Sequence, residues 1–118
     1  MKEEFQARML RIYCMETDQW QGEPLYKAIV ARCMELGIAG TTVYRGLEGF
    51  GASARIYQPH LFSISSNLPI MVSVVDTEEQ IQKLLPQVER MIAGGLIAIS
   101  TVQAIRYLRS EQDQPASS

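Results

Sequence analysis

The chain has 118 residues, of which 47% are hydrophobic and 20% charged, a size and composition typical of one globular domain. Eleven Lys and Arg against thirteen Asp and Glu give a net charge of −2, which argues against a non-specific nucleic-acid-binding protein. Two cysteines cannot form a disulfide framework. Because neither a signal peptide nor an apolar run of ~20 residues is present, we expect a cytoplasmic domain with reduced thiols.

A strand and a helix are predicted in the first third of the chain. Residues 7–15 alternate apolar and polar side chains, a period of two that indicates a strand with one face toward a core. After a polar loop, Pro24 is typical of the first turn of a helix, where its missing N–H needs no partner. Apolar residues at helical spacing continue this helix to about residue 36, and Gly37 ends it in the left-handed conformation.

Two more strands are predicted in the middle of the chain. Residues 41–44 have strand character and lead into a glycine-rich stretch, and residues 54–57 could resume a strand. Residues 70–75 are almost wholly apolar and β-branched, which is typical of a buried central strand.

The last third predicts a second helix and a final strand. Either Asp76 with Glu79 or Thr77 with Gln80 has the spacing of a reciprocal capping box. The apolar stripe behind it stays in phase across Pro86, so the helix continues with a kink until Gly94-Gly95. Residues 96–102, extended by 104–107, then form the last strand.

This order of elements, strand-helix-strand-strand-helix-strand, predicts an α+β ferredoxin-like sandwich: an antiparallel sheet with two helices on one face. The domain is expected to span residues 1–109, and residues 110–118 to form a disordered tail. Because the second face of such a sheet is bare, its apolar residues predict an oligomer.

Few residues predict catalysis. His60 is the single histidine and lacks a partner for metal binding or acid–base chemistry, and Cys14 and Cys33 fall on apolar phases that indicate burial. Helix capping explains the acids from Asp76 to Glu79 better than a pair of catalytic carboxylates does. No nucleophile elbow, phosphate-binding loop or dinucleotide fingerprint occurs, so we expect no catalytic residues, no metal and no required cofactor.

Three features leave both a structural and a functional interpretation open. The glycines of residues 46–51 could form a bulge, or could present backbone N–H groups to an anion. Trp20 could pack on the sheet as a lid or stack on a ligand or partner. Arg106 could pair with an acidic neighbour or hold a phosphate.

Several segments resemble known proteins in matching order. Residues 37–43 (GIAGTTV), 49–51 (GFG) and 103–106 (QAIR) are similar to nitrogen-regulatory PII signalling proteins. Closer still is the resemblance to the PII-like family known as domain of unknown function 190, which is carried by residues 11–13, Asp18 with Trp20, Gly22 with residues 24–26, residues 45–46 with 48–51, and residues 75–78. The resemblance covers about residues 8–107.

The resemblance implies a ferredoxin-like homotrimer with ligand clefts between subunits, in which PII proteins sense adenine nucleotides. It implies that Thr42, Gly49, Phe50 and Gly51 lie at the cleft, and that Arg106 matches the first arginine of the PII arginine pair. It also implies that the loop after the second strand, residues 52–68, docks on a partner such as a membrane transporter.

The chain departs from the PII pattern at several positions. Gly94-Gly95 run straight into the last strand, so the glycine- and lysine-rich segment that wraps the phosphates in PII proteins is missing. Leu108 replaces the second arginine, and Glu48 replaces the lysine before the Gly-Phe-Gly turn. The segment between Thr42 and Gly49 is one residue longer, which suggests a bulge.

These observations favour a non-catalytic, trimeric PII-like regulatory protein that binds a small effector, with an adenine nucleotide favoured. A protein-interaction module with an empty cleft is the alternative, and a small ferredoxin-fold enzyme is a third interpretation, because fold alone does not exclude one.

Overall fold

The computed structural model describes residues 1–49 and 67–109. These contain two helices and a four-stranded antiparallel sheet, which confirms the predicted ferredoxin-like α+β fold. The sheet is built, in the order β4-β5-β1-β6, from β1 (Lys2–Met15), β4 (Gly40–Arg45), β5 (Pro69–Asp76) and β6 (Leu96–Tyr107). The helices are α1 (Leu25–Leu36) and α2 (Glu78–Met91), and a small two-stranded ribbon joins β2 (Gln19–Trp20) to β3 (Glu23–Pro24).

The core lies between the two helices and one face of the sheet. Along β5 and from Leu10 onward in β1, every second residue faces the helices and is buried, as the period of two predicts. The helices contribute apolar residues three and four positions apart, and α2 stays continuous across Pro86. The main buried side chains are Leu10, Ile12, Cys14, Leu25, Ile29, Cys33, Ile70, Val72, Val74, Ile81, Leu84 and Val88.

Both cysteines belong to this core, as predicted, and neither forms a disulfide. Burial, together with the nearby Asp18 carboxylate, raises the pKa of the Cys14 thiol to about 11. Burial also raises the pKa of Cys33, against a hydrogen bond with Thr41 that lowers it. Since the thiolate is the reactive form, these are packing residues.

The segment before α1 differs from its prediction. Pro24 has extended backbone angles (φ −58°, ψ 131°) and pairs with Gln19 in the small ribbon, so it precedes the helix instead of starting it. Gln21 and Gly22 have positive φ angles of 50° and 84°, the conformation of a two-residue hairpin turn. The ribbon presses Trp20 against the core, with the Arg32 guanidinium 5.5 Å from the ring centre, which favours the lid interpretation.

The face of the sheet away from the helices is uncovered in the single chain. Tyr44, Met71, Tyr13 and Leu96 are directly opposite one another on successive strands and form an apolar row across all four of them. Tyr44 and Leu96 are 51% and 57% exposed. We call Tyr44, Met71, Tyr13 and Leu96 the apolar row.

The end of α2 also departs from prediction. The helix ends at Met91, with Ile92 in an extended conformation, so the glycines do not cap it. Gly95 instead has a φ of 142°, and a Cβ placed there would lie 2.6 Å from the Tyr13 carbonyl oxygen. Glycine is therefore required where the chain enters β6 beside β1.

Gly95→Ala should lower the free energy of unfolding by about 1–3 kcal/mol, because the backbone conformation is strained for alanine and its methyl group meets a main-chain oxygen. Gly94→Ala is the matched control, since nothing lies within 4 Å of its Cβ position and its φ is not positive. It should leave stability unchanged or raise it by up to about 1 kcal/mol. Urea denaturation midpoints measure both, and equal midpoints would contradict the proposed role of Gly95.

Candidate functional site

A cleft lies where the end of α1 and the start of β4 meet the end of β5 and the start of α2. Its open volume is about 460 Å³, within the range of small-molecule sites. The residues that line it are Gly37, Ala39, Asp76, Thr77, Gln80 and Arg106. The described part of the chain thus contributes two turns, one helix start and one arginine to the cleft.

Asp76 builds the wall of the cleft. It ends β5 and is only 4% exposed, the one charged residue that is buried within residues 1–49 and 67–109. One carboxylate oxygen accepts a hydrogen bond from the Ala39 N–H at 2.8 Å, and the other accepts one from the Thr77 N–H at 2.6 Å. These bonds compensate the loss of hydration, and they hold the start of β4 against the start of α2.

A second link joins the two helices at the same place. The Thr77 hydroxyl caps α2 by accepting from the Gln80 N–H at 3.3 Å, so Thr77 is the capping residue of the two that the sequence allowed. The Gln80 side chain does not return to Thr77, as a full capping box requires, but donates to the Leu36 carbonyl at 2.8 Å. Gly37 ends α1 with a φ of 69°, as predicted.

Arg106 contributes the positive charge of the cleft. It lies on β6 opposite Glu3, where β1 and β6 extend past the end of β5 as a two-stranded ribbon. Its Nη1 lies 3.7 Å from Oε1 of Glu3, and its guanidinium carbon lies 5.4 Å from the centre of the Phe5 ring. Both side chains of the ion pair are about half exposed, so the pair is weak and the arginine can turn toward another anion.

The other predicted site residues lie elsewhere. Thr42 is exposed in the middle of β4 and is paired with Ser73, and Gly49 follows that strand; neither lines the cleft of the single chain. Phe50 and Gly51 lie outside the described residues, as do residues 54–57, His60 and the tail. Asp76 and Gln80 were attributed to capping alone. Their contacts with the end of α1 and the start of β4 could have been anticipated from one feature of the sequence. Asp76 directly follows a buried strand, and Thr77 already supplies the cap of α2, so the Asp76 carboxylate is left for another partner.

The end of β4 is fixed to the start of β5. The Gly46 N–H donates to the Pro69 carbonyl at 2.7 Å, and a Cβ on Gly46 would lie 2.9 Å from the Pro69 ring, so glycine allows the close approach. Arg45 binds Glu16 at 2.6 Å, and the Glu16 N–H donates to the Leu68 carbonyl at 2.8 Å. The two ends of the intervening segment therefore lie side by side.

The chain was compared with known families and relatives. The sequence profile of DUF190, described as "Uncharacterized ACR", matches residues 7–104. The chain belongs to this DUF190 family. A UPF0166 protein from Aquifex aeolicus (strain VF5) is 35% identical over 98 residues, 83% of this chain and 92% of that protein. Another, from Methanocaldococcus jannaschii, is 39% identical over 95 residues, 80% and 87% of the two chains.

Solved structures confirm the fold of this DUF190 protein. CPII from Thiomonas intermedia K12, in a structure bound to ADP and bicarbonate, has a TM-score of 0.62 and 20% identity, over 86% of this chain and 91% of that one. CPII is described as a nitrogen regulatory PII-like protein. The fold is therefore PII-like. The relatives carry names of uncharacterized or regulatory proteins, and these are not enzyme names.

Within residues 1–49 and 67–109, no three His, Cys, Asp or Glu side chains come together as metal ligands would. No helix in the described part of the chain is both long and apolar enough to cross a membrane.

Asp76→Asn should lower the free energy of unfolding by about 1–3 kcal/mol, because an amide keeps one acceptor oxygen and turns an N–H₂ group toward a backbone donor. Glu89→Gln, a change of an exposed carboxylate on α2, should alter stability by less than about 0.5 kcal/mol. Urea denaturation at neutral pH gives both values. An Asp76→Asn protein as stable as the control would show that the carboxylate does not hold the cleft wall.

Proposed function

We propose that this protein is a non-catalytic, trimeric PII-like signalling protein that binds an adenine nucleotide in clefts between its subunits. Through the segment between β4 and β5 it regulates a partner such as a membrane transporter. The nucleotide is an effector, and no cofactor is required. The observation that carries the proposal is the position of Arg106, which lines a cleft of nucleotide size in a PII-like fold.

The cleft offers suitable chemistry for a nucleotide. Arg106 can make charge-assisted hydrogen bonds to a phosphate oxygen, and its planar guanidinium suits a tetrahedral anion. Gly37 and Ala39 line the cleft with backbone and at most a methyl group, whereas Ile38 between them packs against the core, so a flat ring can approach. A PII-like relative of known structure is described as bound to ADP and bicarbonate, which supports this ligand class.

The remaining predicted residues would act from a neighbouring subunit. Thr42, Gly49, Phe50 and Gly51 belong to β4 and the turn after it, whereas Arg106 belongs to β6; β4 and β6 are the opposite edges of the sheet. A single chain therefore cannot bring both groups to one ligand by its sheet alone. In a trimer, the β4 side of one subunit would face the β6 side of the next and complete each cleft.

The apolar row supports assembly. Three of its side chains, Tyr13, Tyr44 and Leu96, are large and exposed in the single chain, and they lie in one line across the sheet. Each is already about half covered in the single chain, so burying its exposed part contributes about 1 kcal/mol, less than the ~1.5–3 kcal/mol of burying a large apolar side chain completely. Covering this face with copies of the same chain would bury the row.

The segment between β4 and β5 supports partner docking. Its ends are held together by the Gly46–Pro69 hydrogen bond and the Arg45–Glu16 ion pair. The segment therefore leaves and rejoins the sheet at one place, close to the glycine turn assigned to the ligand. A ligand at that turn would contact the base of the segment, and the segment would carry the signal to the partner.

Calorimetric titration with AMP, ADP and ATP should show binding of at least one nucleotide below millimolar concentration. Arg106→Ala should weaken that binding by about 1.5–3 kcal/mol, the usual contribution of a hydrogen bond to a charged group. Arg90→Ala, at an exposed position in the last turn of α2, should leave affinity unchanged. If no nucleotide binds, the protein-interaction alternative is favoured; if Arg106→Ala binds normally, the ligand lies elsewhere.

Tyr13→Glu and Tyr44→Glu should each shift the protein from trimer toward monomer, because a carboxylate on the apolar row would be buried without a partner. Sedimentation velocity measures the change, and circular dichroism checks that each variant is folded. Met34→Glu, at an exposed position of α1, should leave the assembly intact. Folded row variants that remain trimers would show that another surface forms the contact.

A further inference from the structure

The charges at the cleft limit the kind of anion it can bind. Among the described residues that line it, the ionisable side chains are Asp76 and Arg106, which cancel. Asp76 is already hydrogen-bonded to two backbone N–H groups and is fixed in place. A phosphate group therefore meets one mobile cation and one immobile anion.

Glu3 reduces this positive charge further. Its carboxylate lies 3.7 Å from the Arg106 guanidinium, on the paired position of the neighbouring strand. A ligand phosphate must share the arginine with Glu3 or displace it. Since Glu3 stays nearby on its strand, its repulsion acts on every negative charge that the ligand brings, and it grows with the number of those charges.

The helix that begins at the cleft does not compensate. The first turn of α2 carries Glu78 and Glu79, which offset the partial positive charge of the helix start. Glu78 in turn binds Arg8 at 3.0 Å, and Arg8 is not among the described residues that line the cleft. The connection from α2 to β6, residues 92–95, is Ile-Ala-Gly-Gly and supplies no cation.

We propose that this cleft selects nucleotides with one phosphate group over nucleotides with three, and that Glu3 is a residue that sets the preference. The inference rests on the proposed function, because it concerns the same cleft. Among the described residues that line the cleft, a monophosphate finds its one cation in Arg106. A triphosphate adds two or more charges that find no further cation on the described lining, and Glu3, Asp76 and the first turn of α2 repel them.

The test is calorimetric titration of the full chain with adenosine, AMP and ATP, in EDTA and at fixed ionic strength. AMP should bind at least about tenfold more tightly than ATP, a difference that one or two unpaired charges near a protein surface can produce. Adenosine should bind more weakly than AMP, because it makes no contact with Arg106. Higher salt should narrow the difference between AMP and ATP, since the repulsion is screened.

Glu3→Gln isolates the role of the carboxylate. This variant should bind both nucleotides more tightly than the native chain, with the larger gain for ATP because it carries more charge. Glu4→Gln is the matched control: it removes the same charge from the next residue of β1, whose side chain lies on the other face of the strand, and it should change the ratio far less. Melting curves check that both variants are folded.

The possible results separate the two proposals. ATP binding as tight as or tighter than AMP would overturn the selectivity and leave the proposed function standing. An unchanged AMP-to-ATP ratio in folded Glu3→Gln would overturn the role of Glu3. Failure of all three ligands, and of ADP, to bind at millimolar concentration would overturn the proposed function and the selectivity together.

Discussion

The carboxylate of Asp76 is the interaction on which the cleft depends. It ends a central strand, it is buried, and its two oxygens bind the backbone of the next helix and of a turn 37 residues earlier in the chain. A buried charge without these partners would cost several kcal/mol, so the two turns have to stay where the carboxylate can reach them. Gln80 repeats the link by binding the last carbonyl of α1. The cleft therefore has one rigid wall, held by Asp76 and Gln80. The exposed side chain of Arg106 is the part of the lining that can change its conformation.

The opposite charges of the rigid Asp76 and the mobile Arg106 affect anion binding. The group that makes the wall rigid is itself an anion, so structural stability and anion binding are in opposition at the cleft. Longer-range attraction cannot offset this, because the chain as a whole has a net charge of −2. In the proposed site, affinity for an anion would therefore depend on Arg106 and on the carboxylates that compete for it. The pairing with Glu3 follows from the register of β1 and β6, which places the two residues opposite one another at the projecting end of the ribbon.

Local signals predicted most of the fold, and nonlocal contacts produced the differences. Gly37 and Thr77 cap their helices through hydrogen bonds to residues at most four positions away in the sequence, and both have the predicted capping roles. The roles of Asp76 and Gln80 depend on carbonyl and N–H groups of a segment about forty residues away, which only the packed helices bring into reach. The sequence pattern places Gly95 at the end of α2, whereas in the structure it lies beside the Tyr13 carbonyl of another strand. The short ribbon at Trp20 was missed although Gln21-Gly22 is a possible hairpin turn, because strands of two residues carry no periodicity.

The uncovered sheet face and the separation of the predicted ligand residues on two edge strands both favour an assembly of several chains. Arg106 and Thr42 lie on opposite edge strands, and the apolar row runs between those edges. An assembly that buries the apolar row would bring the β4 edge of one chain toward the β6 edge of another. The free energy of association would then also form the proposed ligand site between the two chains. A ligand that binds only to the assembled form would in turn stabilise the assembly, because binding removes assembled chains from the equilibrium with free chains. In the proposed trimer, ligand binding at the cleft would then change the contact between subunits, close to the base of the segment that is proposed to meet the partner.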